Sequence, residues 1–193
     1  MIPGAAPRRL AIGVVGAVSL AVAGCAVQDK AVPSRTSGLL TCAPWGQPGR
    51  ATSMPDCAAP QADSSYRLSG DALSHFSFGP EGLAEITIGS HLAYVRRDGR
   101  AIAVPVFDNG PDLFVDGRVR MKVGNRLGYA DWRLEPVISA IYDGAYPFSG
   151  GRAHVCIGCT IASDGEHSWY EGGQGMCLDT GGNMRPEEEC RAE

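Results

Sequence analysis

The chain has 193 residues, 17 Lys+Arg against 21 Asp+Glu, and a formal net charge of −4. That balance lacks the basic footprint of a nucleic-acid binder, and no nucleic-acid partner is expected. The 26 glycines and 13 prolines favour turns over long helices.

Arg8 and Arg9 precede an uncharged apolar run, Leu10 to Leu20, which closes on Ala21, Val22, Ala23, Gly24 and Cys25. Charge, apolar run and small residues in that order make a secretory signal rather than part of a fold. As a helix, Leu10 to Gly24 would rise roughly 22 Å. A bilayer core of about 30 Å is too thick for it to span. Val22-Ala23-Gly24-Cys25 resembles the lipobox of bacterial lipoproteins. The resemblance implies cleavage before Cys25, a diacylglyceryl group on its sulfur, and the membrane as a partner through acyl chains. Each buried lipid methylene contributes roughly 0.8 kcal/mol, so two or more chains hold where one does not. Ala26 after the cysteine, by that family's sorting rule, implies the periplasmic face of the outer membrane. Removing residues 1–24 takes away two arginines and no acid, which moves the formal charge from −4 to −6.

Seven cysteines is an odd number for an exported chain. Acylation of Cys25 accounts for one. Cys42, Cys57, Cys156, Cys159, Cys177 and Cys190 remain, and an oxidising compartment makes three disulfides the default. Sequence alone leaves about 15 pairings open. The local set, Cys42 with Cys57, Cys156 with Cys159 and Cys177 with Cys190, is the expectation. On a loop-entropy basis the two longer loops give about 3 kcal/mol each and the short one about 2 kcal/mol.

The domain plan runs as signal peptide 1–24, lipidated cysteine and flexible linker 25–41, a Cys-bracketed cap loop 42–65, and a β-repeat domain 66–193. The linker is small and polar. The cap loop is rich in Pro and Gly, with Trp45 packed beneath it. In the repeat domain Gly82 is followed by Gly117, Tyr94 by Tyr129, and Phe107-Asp108 by Tyr142-Asp143, each 35 residues on. A fixed stride of that size marks stacked supersecondary units. Within a unit the apolar period is two. Arg118, Arg120 and Lys122 alternate with Val119, Met121 and Val123, and Glu85 and Thr87 alternate with Ala84, Ile86 and Ile88. These patterns read as strands with one wet and one dry face. Turns at Gly89-Ser90 and Gly124-Asn125 lead to second strands, "HLAYV" and "RLGYA". A three-residue loop, Gly124 to Arg126, is preferred because it places Leu127 and Tyr129 with Val123 and Met121. A third strand, "IAVPVF" or "PVISAIY", completes the unit, and Pro105 makes it an edge at that point. The fold class is therefore all-β: antiparallel β-hairpin repeats of about 35 residues stacked into one domain, after an N-terminal signal helix and flexible tether.

These units resemble WG repeats. Phe148-Ser149-Gly150-Gly151-Arg152-Ala153, Gly128-Tyr129-Ala130-Asp131, Val137-Ile138 and Tyr142-Asp143 carry the likeness. Phe78, Glu81-Gly82-Leu83-Ala84 and Val104-Pro105-Val106-Phe107-Asp108 echo it across about residues 75–183. The signature tryptophan is replaced by Leu92, Leu127 and Gly175, and its glycine survives only as Gly128. The resemblance implies a binding or scaffolding module without catalysis, a protein partner and no cofactor.

The third unit is stretched. Cys177 takes the place of Tyr129, 48 residues on, and the extra residues enter at the hairpin tip as "CIGCTIASDGEHSW". A long tip on a regular scaffold is where function collects. The preferred reading is a disulfide-stapled loop with His167, Trp169 and Tyr170 as candidate contacts. Parity places Cys156 on the face opposite Cys177, leaving Cys177 for Cys190. The alternative is a metal- or thiol-dependent envelope protein, in which Cys156, Cys159, His167 and Cys177 hold zinc or Cys156 and Cys159 exchange electrons. The sequence carries no hydrolase elbow and no phosphate loop.

Overall fold

The computed structural model describes residues 38–46, 52–107 and 109–190. The signal sequence, Cys25, most of the linker and Asp108 lie outside the described residues. What is described is all-β and antiparallel.

Six strands close a barrel: β1 (Leu40–Pro44), β2 (Met54–Pro60), β3 (Tyr66–Leu68), β4 (Leu83–Ile88), β5 (His91–Arg96) and β6 (Arg100–Val104). Their order around it is β1-β2-β3-β6-β5-β4, with β4 pairing back onto β1. Barrel diameter grows with strand number, so six strands leave a narrow interior. Small and β-branched side chains fill it: Ala58, Ala84, Ala93 and Ala101 beside Ile86, Ile88 and Val95. Cys42 and Cys57 are buried in the same cluster and are disulfide-bonded, with Cα atoms 5.9 Å apart. The segment 42–65 is thus not a cap loop, since β1 and β2 are two of the barrel's six staves. A four-residue helix, α1 (Gly70–Leu73), is capped by the Ser69 hydroxyl, which accepts from the Ala72 amide at 3.3 Å.

Beyond Pro105 come two short strands, β7 (Val106–Phe107) and β8 (Gly110–Pro111), paired with each other. Pro105 ends β6, as its missing N–H requires. A three-stranded sheet follows, formed by β9 (Val119–Val123), β10 (Arg126–Ala130) and β11 (Pro136–Tyr142) in the order β11-β10-β9. The last units are β12 (Gly144–Ala145), β13 (Arg152–Ile157), β14 (Thr160–Ser163), β15 (Ser168–Glu171), β16 (Gln174–Asp179) and β17 (Met184–Arg185). They make a four-stranded sheet, β12-β13-β16-β17, and a separate β14–β15 hairpin. A 3₁₀ turn, Glu187–Cys190, ends the described chain.

The layers stack. The outer face of β4–β6 (Leu83, Leu92, Tyr94, Ile102, Val104) packs on Val119, Met121 and Ala130 of the three-stranded sheet and on Leu134 of its β10–β11 connection. The other face of that sheet (Leu127, Tyr129, Ile138, Tyr142) packs on Phe148, Ala153, Val155 and Leu178 of the next. The 35-residue stride is also a geometric recurrence. The Tyr94 hydroxyl donates to the Asp112 carbonyl at 2.9 Å, and the Tyr129 hydroxyl to the Tyr146 carbonyl at 2.6 Å. The rings of Phe114 and Phe148 stand 5.3 and 4.7 Å from those of Tyr94 and Tyr129. Gly82, Gly117 and Gly151 all turn the chain into its hairpin at φ between 74° and 78°, a region glycine enters without steric cost. Burial pushes the Tyr94 and Tyr129 phenols well above their ordinary pKa. Both therefore stay neutral donors at any physiological pH.

Three expectations need correction. The hairpin loops have two residues, not three: Ile88 faces His91 and Val123 faces Arg126. Glycine at the first of two loop positions, with φ of 57° at Gly89 and 58° at Gly124, suits a type II′ turn. Tyr129 therefore shares its face with Arg120, and that face is not wet. Arg120 is buried because the next sheet covers it. Finally, Cys177 pairs across the ladder with His154 and Gly175 with Cys156, so Cys156 and Cys177 share a face. Cys177 is nonetheless bonded to Cys190, with Cα atoms 5.7 Å apart. It occupies the tyrosine's place in the last hairpin. A disulfide to the 3₁₀ turn thus stands where the two earlier units place a tyrosine hydroxyl that reaches onward.

Candidate functional site

The 13-residue insertion is an ordered arm. β13 ends at Ile157, the chain reverses at Gly158, and Cys156–Cys159 staples that reversal with Cα atoms 5.9 Å apart. The Gly158 amide donates to Asp143 Oδ2 at 2.7 Å, and Asp143 also pairs with Arg126 at 2.6 Å. The base of the arm is thereby fixed to the preceding sheet. The chain returns through Gly172 and Gly173, both at positive φ. A Cβ on Gly173 would collide with the backbone of Ile157 to Cys159, so only glycine fits there.

At the tip, Asp164 Oδ1 accepts from the Glu166 and His167 amides at 2.9 and 2.7 Å. Those amides hold the Asp164 carboxyl below the usual range. His167 itself points into solvent, its Nδ1 3.7 Å from Asp164. Between tip and base, Tyr170 folds inward. Its amide donates to the Tyr146 hydroxyl at 3.0 Å, and the two rings meet edge to face at 5.3 Å. Gly144 leaves the room it needs, since a Cβ there would lie 2.5 Å from the Tyr170 ring. Trp169 and Ile161 remain outside, 40% and 70% exposed.

Opposite the arm stand Val106 and Phe107 of β7, 67% and 42% exposed. Between these two walls lies a cleft of about 480 Å³, floored by Tyr146, Pro147 and Arg120. Arg120 carries no free charge into it. Its Nη2 and Nε grip Asp112 at 2.6 and 3.0 Å, its Nη1 donates to the Ala145 carbonyl at 3.0 Å, and its guanidinium lies 5.7 Å from the Phe107 ring centre. The site offers apolar and aromatic surface with a neutralised floor and suits an apolar group.

Of the residues anticipated from sequence, Trp169 and Tyr170 line the cleft and His167 does not. All six cysteines form the three local pairs. Cys156, Cys159, His167 and Cys177 are not gathered, and no cluster of three or more His, Cys, Asp or Glu side chains could hold a metal ion among the described residues. Cys25 lies outside the described residues. Sequence reasoning missed Val106, Phe107 and Tyr146. The available signal was the apolar pair left beyond a ladder-ending proline. No helix among the described residues is long and apolar enough to cross a membrane. Comparison of the chain with protein-family models, curated proteins and solved structures returns no match.

Proposed function

We propose that the chain is a non-catalytic binding or scaffolding module of the bacterial cell envelope, a degenerate WG-repeat lipoprotein held by acyl chains on Cys25. In this reading it lies on the periplasmic side of the outer membrane and engages a protein partner through the arm. The observation that carries the binding role is the convergence of Ile161 and Trp169 with Val106 and Phe107, four exposed apolar side chains from different units around one cleft. Monomer surfaces rarely keep such a patch without a use for it. The lipobox and the apolar run before it support the anchor. The recurring tyrosine and glycine geometry supports the repeat reading.

A photo-crosslinking residue at position 161 or 169 is expected to trap one discrete protein in intact envelopes. The same residue at exposed Glu135, which is not part of the cleft lining, is expected not to trap it. Ile161→Asp should abolish the adduct from position 169 while leaving the unfolding free energy within about 0.5 kcal/mol, as for other surface changes. Equal trapping from 135 and 169 speaks against the cleft. Separately, Cys25→Ser is expected to move the protein from the membrane pellet to the periplasmic or uncleaved precursor fraction. Wild-type mature protein is expected to gain the mass of a diacylglyceryl cysteine. An unmodified Cys25 in mature protein defeats the anchor.

A further inference from the structure

A second cleft, of about 510 Å³, opens beside the β4–β5 hairpin and shares no lining residue with the arm site. Four aromatic side chains from separate segments line it: Trp45 after β1, Tyr94 on β5, Phe114 before β9 and Trp132 after β10. Phe114 and Trp132 stack with ring centres 3.8 Å apart and planes 10° from parallel. That fixes a flat π surface. Glu81 and Glu85 add two carboxylates, the rest of the lining is small or aliphatic (Ser77, Gly79, Leu83, Ala84, Leu113), and no Lys, Arg or His contributes to it. Glu81 and Glu85 are absent from the ion pairs found among the described residues, whereas Asp63, Asp98, Asp112, Asp143 and Glu189 each have an arginine. The Glu85 charge also adds to the burial that raises the neighbouring Tyr94 phenol.

Aromatic faces carry negative quadrupole potential, and two unpaired carboxylates add formal charge of the same sign. A neutral apolar group would gain from the rings but nothing from the acids. An anion would be repelled by both. A compact metal ion would want several oxygen ligands converging on one point, and no such cluster exists among the described residues. An alkylated ammonium group gains from the rings and the acids together: its methyls carry the positive charge against the π faces, its hydration is weak, and the carboxylates supply the counter-charge. We infer that this aromatic, acidic cleft is a binding site for a quaternary or methylated ammonium group, from either a small solute or a modified lysine side chain. The assignment does not rest on the partner reading of the arm.

Titration calorimetry on the full-length protein in non-ionic detergent tests it, with three probes: choline, a peptide bearing trimethyllysine, and 3,3-dimethylbutan-1-ol as the uncharged isostere of choline. At least one of the two cations is expected to bind saturably and about tenfold or more tighter than the isostere. Whichever cation binds tighter identifies the source. Glu81→Gln with Glu85→Gln, both exposed, should cost about tenfold in cation affinity and leave the isostere unaffected. Trp132→Ala should weaken all probes, and Ile161→Asp should change none. If neither cation binds, if the isostere binds as well as choline, or if the double glutamine variant binds cations unchanged, the inference is overturned.

Discussion

Replacing Asp112 by alanine is expected to destabilise the protein by about 3–5 kcal/mol, the cost of stranding a buried charge without its partner. The side chains of Asp112 and Arg120 are 1% and 8% exposed. Asp112 accepts from Arg120 at Nη2, at Nε and at the backbone amide, the last at 2.9 Å. The pair also ties three units together. The Asp112 carbonyl receives the Tyr94 hydroxyl from the barrel, its amide donates to the Pro105 carbonyl, and Arg120 reaches the Ala145 carbonyl of the last sheet. A double replacement, Asp112→Leu with Arg120→Met, is expected to recover most of the loss, because a well-packed apolar pair avoids the desolvation that an ion pair only offsets. Urea unfolding with disulfides intact measures both. A single-variant loss under about 1 kcal/mol would mean that water reaches the pair through the arm cleft and screens it.

That pair shows where sequence reading stops. Alternation at Arg118, Arg120 and Lys122 says which side chains share a face. It does not say what covers the face. In a stack of sheets an inner sheet has no solvent side, so a strand that looks amphipathic is covered twice. The assumption that charges face water then biased the loop choice. A three-residue turn keeps Tyr129 away from Arg120, whereas the structure sets them opposite each other. The same parity error put Cys156 and Cys177 on different faces.

What needed only sequence spacing was legible. The 35-residue stride survives as matching rungs: Glu85 opposite Tyr94, Arg120 opposite Tyr129, and His154 opposite Cys177. The replacement of the third tyrosine by Cys177, 48 residues on, is correct to the residue. The disulfides were legible because each pair is close in sequence, which makes loop closure cheap. The arm was legible as an insertion into a regular period. Neither cleft was. Val106, Tyr146 and Trp169 meet only after three units have folded, as do Trp45, Tyr94 and Trp132. No local pattern encodes such a meeting.

Gly128→Ala is the second large effect, expected to cost at least about 3 kcal/mol although it adds one methyl group. The backbone of β11 lies against the Gly128 Cα. A Cβ would strike the Ile138 carbonyl oxygen and stand 2.6 Å from the Ala140 nitrogen. The cause is a bulge. From Leu127 to Tyr129 β10 advances two residues, while its partners on β11 run from Tyr142 to Ile138, an advance of four. The surplus residues press on the strand they cross, and backbone cannot swing aside as a side chain can. The corresponding rungs of the other hairpins hold Ala93 opposite Ile86 and Met176 opposite Val155, so the hairpin itself does not require glycine. Ala93→Gly should therefore cost only about 1.5–2 kcal/mol, the backbone entropy of glycine in a strand plus the loss of one buried methyl from the barrel core. Hydrogen exchange should locate the damage of Gly128→Ala in β11, with the barrel amides still protected. A loss of similar size for both variants would show that the rung, not the bulge, sets the requirement. Equal exchange throughout the chain would show that β11 is not where the strain enters.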